Sequence, residues 1–313
     1  MRALAIGDLN VDLFLPFGIP PMGKQVFVRD SQISGGGCAA NFAVACAKLG
    51  AKSKLIARIG KDVFGKFLLE ELRRHGVDDE DITVSEDGKT GVSIALVERA
   101  DRSIITYRGE NAAFSEADMK ETKIDADLVH IPSFFILEGL RPIYSKLARK
   151  AHEAGAVVSF DTGWDPLKKW SKTEYFSEAL KSSDIFLPNI YEARAILNEP
   201  KWNEKKLAEK FLQMGVKAVA IKTDKRGSFV ADDSKSAEIP PFKVNVVDPT
   251  GAGDVFDAAF LLPYICGKDV ISSGRFANAA AAIKIAGSGW SSYPTLAQVN
   301  QLLQKNGFAP INI

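Results

Sequence analysis

Short apolar segments alternate with longer segments of helical periodicity along most of the chain. Continuous apolar residues predict buried strands at 3–6, 53–59, 127–132, 156–161, 184–187 and 217–222. Helical periodicity predicts helices at 42–50, 63–75, 140–154, 175–182, 191–197, 203–214, 277–282 and 296–305, and another from residue 254 onward. This alternation predicts an α/β fold in which a parallel sheet is covered by helices on both faces.

Two segments fall outside this alternation. Residues 13–33 mix Pro16, Pro20 and Pro21 with apolar residues, which suits neither a helix nor a regular strand. The apolar segments 91–97 and 103–108, separated by a turn at 99–102, predict a β-hairpin. We expect these parts, about 12–33 and 90–109, to form a small sheet separate from the main one.

A nearly bare backbone turn precedes the helix that begins near residue 254. Asp248 precedes Pro249 and is therefore biased towards extended backbone, and Gly251, Ala252 and Gly253 follow. The free N–H groups and the dipole of a helix N-terminus attract anions. A phosphate bound here would lie beside Asp254, which could take a proton from a hydroxyl during phosphoryl transfer. The alternative is that Asp254 only caps the helix and that the glycines only form a tight turn.

Polar residues follow several of the predicted strands. Asn10 and Asp12 come after the first strand and point the same way on an extended segment, as a hydroxyl-binding pair or as a solvated turn. Parallel sheets bind ligands outside the carboxyl ends of their strands. We therefore expect one shared site to contain Asn10 and Asp12 together with the later strand-end residues Asp161, Asn189, Glu192 and Thr223.

A second glycine-rich loop, at 34–41, precedes the predicted helix at 42–50. It lacks the Gly-Lys-Ser/Thr of a P-loop, and it lacks the GxGxxG and downstream acid of a dinucleotide site. By itself it is a weak signal.

Composition and charge argue against several classes of partner and site. The 313 residues carry a net charge of +1, which gives no support for a nucleic-acid or membrane-surface partner. Cys38, Cys46 and Cys266 form no CxxC pair, so we expect neither a disulfide framework nor a zinc site. The N-terminal apolar segment is too short for a signal peptide, and no apolar segment reaches membrane-spanning length. A cytoplasmic location is therefore expected.

The two glycine loops together resemble the signatures of the ribokinase-like (PfkB) carbohydrate kinases. The string from Val246 to Phe260 resembles the C-terminal signature, although the family usually has threonine where Pro249 stands, and residues 34–41 resemble the N-terminal one. The resemblance covers nearly the whole chain. It implies a single domain, 1–313, built as a three-layer αβα sandwich with a mainly parallel sheet. It also implies a small β-sheet lid that is often shared across a homodimer.

The resemblance also implies roles for individual residues. The catalytic set is Asp254 as the base, with Gly251, Ala252 and Gly253 as the anion hole. The substrate set is Asn10, Asp12, Gly36, Gly37, Asn41 and Asp161. We add Arg108, which ends the hairpin and would face an anion, with a surface cation as the alternative. The nucleotide set is Asn189, Thr223 and Gly227. We add Asn278, because the small-residue helix that carries it could flank a flat adenine, with close helix packing as the alternative. Glu192 is expected to hold Mg²⁺ through water, and Asp248, Thr250 and Ser288 to hold a monovalent cation such as K⁺. Asp62 is expected mainly to cap a helix.

These observations predict ATP-dependent phosphorylation of a hydroxyl on a small polyhydroxylated substrate, a sugar of the fructokinase or ribokinase kind. Many relatives carry an arginine shortly after the acid at the Asp161 position, and this chain does not. The resemblance therefore does not specify which sugar is the substrate. A nucleoside or a polyol such as inositol is the alternative acceptor. Two other classes of protein are disfavoured. The chain lacks the GxGxxG motif of a nicotinamide-dependent dehydrogenase, and a non-catalytic sugar sensor would not require Asp254.

Overall fold

The computed structural model describes residues 1–98, 101–119, 124–172 and 174–313. The strands are β1 (Arg2–Ile6), β2 (Asn10–Leu15), β3 (Gln32–Gly36), β4 (Lys52–Ile56), β5 (Arg58–Gly60), β6 (Val77–Asp78), β7 (Thr83–Ser85), β8 (Gly91–Glu98), β9 (Asp101–Tyr107), β10 (Leu128–Ile131), β11 (Val157–Phe160), β12 (Ile185–Phe186), β13 (Ala218–Lys222), β14 (Ser228–Asp232) and β15 (Ser236–Ile239). The α-helices are α1 (Cys38–Lys48), α2 (Val63–Arg74), α3 (Tyr144–Glu153), α4 (Phe176–Lys181), α5 (Ile190–Leu197), α6 (Glu204–Gln213), α7 (Ala252–Ile265), α8 (Val270–Ile285) and α9 (Leu296–Lys305). Short 3₁₀ helices lie at Gly109–Ala113, Glu116–Met119, Glu138–Ile143, Trp170–Lys172, Asp224–Arg226 and Trp290–Ser292.

The large sheet has the strand order β15-β14-β13-β12-β11-β10-β1-β4-β6. Strands from β13 to β6 pair in parallel, whereas β13, β14 and β15 pair antiparallel. The carboxyl ends of the parallel strands meet at one edge, and this edge gathers the polar residues that follow them.

Helices cover both faces of this sheet, and each face has its own apolar core. Alternate residues of β1 divide between the two cores, since Ala3 and Ala5 join one while Leu4 and Ile6 join the other. The first core includes buried residues of α1, α7 and α8, and the second includes those of α3 to α6. The predicted three-layer αβα architecture with a mainly parallel sheet is therefore confirmed.

A separate small sheet has the strand order β3-β2-β8-β9. The predicted hairpin is present as β8 and β9, but Arg99 and Ala100 of its predicted turn lie outside the described residues. Only the ends of the segment 13–33 join the sheet, as parts of β2 and β3. Residues 16–31, all within the described chain, form no strand, as their prolines would suggest.

Several predicted boundaries were wrong for identifiable reasons. Helix α1 begins at Cys38 and not at residue 42, because Gly37 takes a positive φ of 98° and starts the helix inside the glycine loop. The small-residue segment 277–282 is only part of the longer α8. The predicted strand 53–59 is broken into β4 and β5, and the hairpin of β14 and β15 was missed.

Candidate active site

The glycine turn near residue 250 leads directly into α7. Gly251 is the N-cap with φ 78°, a left-handed conformation that suits glycine, and Asp254 lies in the first helical turn. The N–H of Ala252 bends back to the carbonyl oxygen of Pro249 at 3.2 Å. The first-turn N–H groups of Gly251, Ala252 and Gly253 stand where a helix has no i−4 carbonyl partner. The turn therefore presents the positive end of α7 beside a carboxylate.

Asp254 is held by a short chain of hydrogen bonds that crosses the site. The side-chain Nδ2 of Asn41 donates to Asp254 Oδ2 at 2.8 Å, and Trp290 Nε1 donates to Asn41 Oδ1 at 2.7 Å. The indole N–H can only donate, so it determines which end of the Asn41 amide faces the carboxylate. Asn41, predicted from sequence as a substrate ligand, thus also orients Asp254, and sequence reasoning missed Trp290 in this role.

The Asp254 carboxyl group is 9% exposed. Burial raises its pKa to about 8, and the charges of Asp161 and Asp8 add to this rise. The hydrogen bond from Asn41 and the charge of Lys222 oppose it. A carboxylate with a raised pKa is a stronger proton acceptor than an ordinary aspartate. The environment of Asp254 therefore suits a general base better than an exposed helix cap.

Lys222, whose side chain is 14% exposed, lies beside the turn at the end of β13. Its Nζ atom is 2.6 Å from Asp161 Oδ2 and 2.9 Å from Asp257 Oδ1, and it would lie 3.7 Å from a Cβ built on Gly253. Burial disfavours the ammonium, but the charges of Asp161 and Asp257 raise the pKa of Lys222 above its ordinary value. Sequence reasoning missed both Lys222 and Asp257. Asp257 follows Asp254 by three residues, so helical spacing could have signalled it.

The two carboxylates of this cluster have opposite tendencies. Burial alone would raise the pKa of Asp161, but Lys222 and the hydrogen bonds it accepts hold it below its ordinary value. Burial raises the pKa of Asp257 well above its ordinary value, with Lys222 opposing and Asp161 adding to the rise. The cluster therefore places the Lys222 ammonium between two carboxyl groups, 2.6 Å from Asp161 and 2.9 Å from Asp257.

The residues expected to bind substrate hydroxyls lie where the first strand meets the small sheet. Asn10 Nδ2 donates to Asp12 Oδ1 at 2.7 Å, which confirms that the two side chains face the same way. A Cβ built on Gly36 would lie 2.3 Å from the Asp12 carboxyl group, so only glycine leaves that carboxylate its space. Asp8 was missed: its Oδ1 accepts hydrogen bonds from Ser133 Oγ at 2.8 Å and from the N–H of Ala39 at 3.2 Å.

Tyr293 connects this hydroxyl-binding side to the anion-binding turn. A Cβ built on Gly251 would lie 2.5 Å from the Tyr293 hydroxyl oxygen and 3.4 Å from Asn41 Nδ2. Burial raises the pKa of Tyr293 well above its ordinary value, and the charges of Asp254 and Asp12 both add to the rise. The two glycine loops thus converge on one site, as their sequences predicted.

The residues expected to bind nucleotide form a neighbouring group. Asn189 and Glu192 make a reciprocal capping box at the start of α5, and the N–H of Thr223 donates to the carbonyl oxygen of Gly227 at 2.9 Å. Asn278 is buried and donates to the carbonyl oxygens of Ile239 and Pro240. A cleft of about 430 Å³ opens beside them and is lined by Glu204, Thr223, Arg226, Ser228, Phe229, Glu238, Pro240 and Pro241.

Glu192 joins this group to the centre of the site. Burial raises its pKa to about 7, Asp161 adds to the rise, and Lys222 and the hydrogen bonds from Asn189 oppose it. No group of three His, Cys, Asp or Glu side chains that could hold a metal occurs within the described chain. That finding is compatible with Mg²⁺ in kinases, which binds mainly to phosphates and water with one or two carboxylates. Glu192 fits as such a carboxylate.

The remaining predicted residues make contacts with the protein itself. Arg108 Nη1 donates to the carbonyl oxygen of Ile136 at 3.0 Å, so its guanidinium is partly engaged beside the small sheet. Asp62 caps α2 by accepting from the N–H of Gly65 at 2.8 Å, which confirms its expected role. Ser288 Oγ donates to Gln32 in β3.

Comparison with known proteins agrees with this geometry. The family model described as pfkB family carbohydrate kinase matches residues 2–296. The chain belongs to the pfkB family of carbohydrate kinases. Its pfkB relatives include an ATP-dependent ribose-1-phosphate kinase of Halopiger xanaduensis, 32% identical over 97% of this chain and 99% of the relative. A ribokinase of Staphylococcus aureus is 30% identical over 96% of this chain and 99% of the relative.

The chain also shares its fold with solved structures. The structure of Arabidopsis thaliana ribokinase complexed with ribose and ATP has a TM-score of 0.82 and 27% identity, and the match covers 96% of this chain and 98% of that chain. The protein is therefore a sugar kinase of the pfkB family. None of the helices in the described residues is long and apolar enough to cross a bilayer.

Proposed function

We propose that the protein transfers the terminal phosphoryl group of ATP to a hydroxyl of a small sugar. The observation that carries this proposal is the buried Asp254 at the N-terminal turn of α7, held by Asn41 beside the Gly251 backbone. ATP as the donor is supported by a ribokinase structure that contains ribose and ATP and by a relative named as an ATP-dependent kinase.

In this reaction Asp254 accepts the proton of the attacking hydroxyl. The oxygen forms its bond to the γ-phosphorus as the bond to the β-phosphate oxygen breaks, leaving ADP. The N–H groups of Gly251, Ala252 and Gly253 would stabilise the charge on the phosphoryl oxygens. Mg²⁺, when bound, neutralises charge on the phosphates, and Glu192 would hold it through water.

We propose that Asn10, Asp12, Gly36, Gly37 and Asn41 bind the acceptor. Their carboxylate and amide groups suit hydroxyls, which both donate and accept hydrogen bonds. Asp161, engaged with Lys222, and Arg108 would contribute at the edges of this site. The relatives named as ribokinase and ribose-1-phosphate kinase point to pentose-like acceptors, and a nucleoside or polyol is the alternative within the same family.

We also propose that residues 1–313 form one domain whose small sheet is a lid shared between two copies. One face of that sheet exposes apolar side chains on its outer strands, with Ile33 50%, Ile105 60% and Tyr107 57% exposed. Packing a second copy against this face would bury them. Excluding water protects the phosphoryl group from hydrolysis, which gives the lid its use. Use of ATP agrees with a cytoplasmic location.

A screen for ADP release with ATP, Mg²⁺ and a panel of pentoses, hexoses, polyols and nucleosides tests the proposal. At least one sugar should support turnover, and Asp254→Asn should reduce it by roughly 10²–10⁴-fold. Nucleotide binding, measured by calorimetry, should be largely retained. Asp257→Asn is the matched control one turn along the same helix, and it should keep more activity because Asp257 contacts Lys222 and not the Asn41 amide that holds Asp254. Substantial turnover by Asp254→Asn would reject the base assignment.

A further inference from the structure

A buried lysine lies at the last turn of α8, directed at the residue that opens the glycine turn. Lys284 is 1% exposed, and its Nζ atom lies 2.8 Å from the backbone carbonyl oxygen of Asp248 and 3.2 Å from Asp248 Oδ2. One residue thus offers two oxygens to a single ammonium group. A charge so deeply buried requires such compensation.

Asp248 connects this ammonium to the anion-binding turn. Its Oδ1 accepts from the N–H of Thr250 at 2.8 Å, immediately before Gly251 starts α7. The N–H of Val247 donates to the carbonyl oxygen of Ile285 at 2.7 Å, so the C-terminal end of α8 and the turn are directly joined. A positive charge at Asp248 therefore holds the backbone from which the anion hole is built.

The same place is where the family resemblance implies a monovalent cation. Among the groups expected to hold it, the Asp248 carbonyl and carboxylate are engaged by Lys284, and the carbonyl oxygen of Ser288 accepts from Ser291 Oγ at 3.4 Å. A potassium ion on the same Asp248 oxygens would lie next to a charge of its own sign. The residues present therefore do not fit an additional cation.

We propose that the Lys284 ammonium replaces the monovalent cation, so that this protein needs no K⁺ to keep its anion-binding turn in place. An ammonium group carries the same single charge as K⁺ and, unlike a dissolved ion, is tethered to α8. The effect on turnover rests on the proposed kinase function, but the effect on stability does not. Stability measurements can therefore reject the role of Lys284 even if the kinase function is correct, and the reverse also holds.

The first test exchanges the salt around the unaltered protein. Thermal midpoints and, once an acceptor is known, kcat are measured at constant ionic strength in choline, sodium, potassium and ammonium chloride. The inference expects the same midpoint and kcat in all four salts. An ion present at about 100 times its dissociation constant would shift the folding equilibrium roughly a hundredfold. Such a shift in K⁺ alone, or an activation by K⁺, would overturn the inference.

The second test removes the ammonium by two substitutions, one that leaves room for an ion at Asp248 and one that does not. Lys284→Ala opens room at Asp248, whereas Lys284→Met fills much of it with an uncharged chain. Both should melt below the unaltered protein in choline chloride. Potassium or ammonium chloride should raise the midpoint of Lys284→Ala but not that of Lys284→Met. Equal response of both variants, or no response of a folded Lys284→Ala, would overturn the inference. If Lys284→Ala does not fold, the salt series on the unaltered protein still decides.

Discussion

Lys222 provides the sharpest test of the charge arrangement in the site. Lys222→Met keeps most of the side-chain volume but leaves Asp161 buried without the ammonium that is now 2.6 Å away. Removing one partner of a buried pair costs about 3–5 kcal/mol of unfolding free energy. With an unfolding entropy typical for a chain of 313 residues, this corresponds to a fall in Tm of about 5–8 °C.

The assay is thermal unfolding at pH 7, with Lys217→Met as the matched control. Lys217 also pairs with an aspartate, Asp184, at 2.8 Å, but its side chain is 77% exposed. An exposed pair contributes less than about 1 kcal/mol, so this control should melt near the unaltered protein. The double variant Lys222→Met with Asp161→Asn should recover part of the loss, because one buried carboxylate fewer is then left without the ammonium.

The stabilisation by the Lys222–Asp161 pair should depend on pH in a defined direction. Lys222 holds the pKa of Asp161 below its ordinary value of 3.8 despite burial, so this pair stabilises the folded state above that pH. The stabilisation is lost as the pH falls through the lower folded-state value. The difference in Tm between Lys222→Met and the unaltered protein should therefore become smaller in acid. Equal Tm values for Lys222→Met and Lys217→Met at pH 7 would refute the buried ion pair.

Three further predictions address the base, the turn and the lid. Because the pKa of Asp254 is raised to about 8 and a base acts unprotonated, kcat/KM should rise as the pH increases through about 8 and then level off. Gly251→Ala should lower Tm and reduce kcat by roughly tenfold or more, since it combines a φ of 78° with a Cβ 2.5 Å from a tyrosine hydroxyl. Ile105→Lys, at a position 60% exposed on the lid, should convert the proposed homodimer to monomers in light scattering.

Matched controls separate these effects from general damage. Gly267→Ala shares the positive φ, at 84°, but meets nothing within 4 Å, so it should lower Tm while leaving kcat unchanged. Val63→Lys, at an exposed position outside the lid, should leave the oligomer intact. A rate profile that levels off near pH 4, equal kcat losses in both glycine variants, or a dimer that survives Ile105→Lys would each contradict its prediction.

The sequence by itself determined the architecture and the outline of the site. Alternating strand and helix periodicity predicts the layered sheet because periodicity is a local property that tertiary contacts seldom reverse. The turn from Asp248 to Asp254 was equally readable, since a glycine turn, a helix start and an acid occur within seven consecutive residues. Asp62 as a cap and the pairing of Asn10 with Asp12 were local signals of the same kind.

The tertiary structure alone decided the electrostatics of the site. Trp290 orients Asn41 across 249 residues of sequence, and Asn41 reaches Asp254 across 213. Lys222 meets Asp161 across 61 residues, and Lys284 reaches Asp248 across 36. A single buried cation or indole has no periodicity, and its partner is chosen by how the helices pack on the sheet. Burial, which raises the pKa of Asp254, likewise exists only once the layers have closed around it.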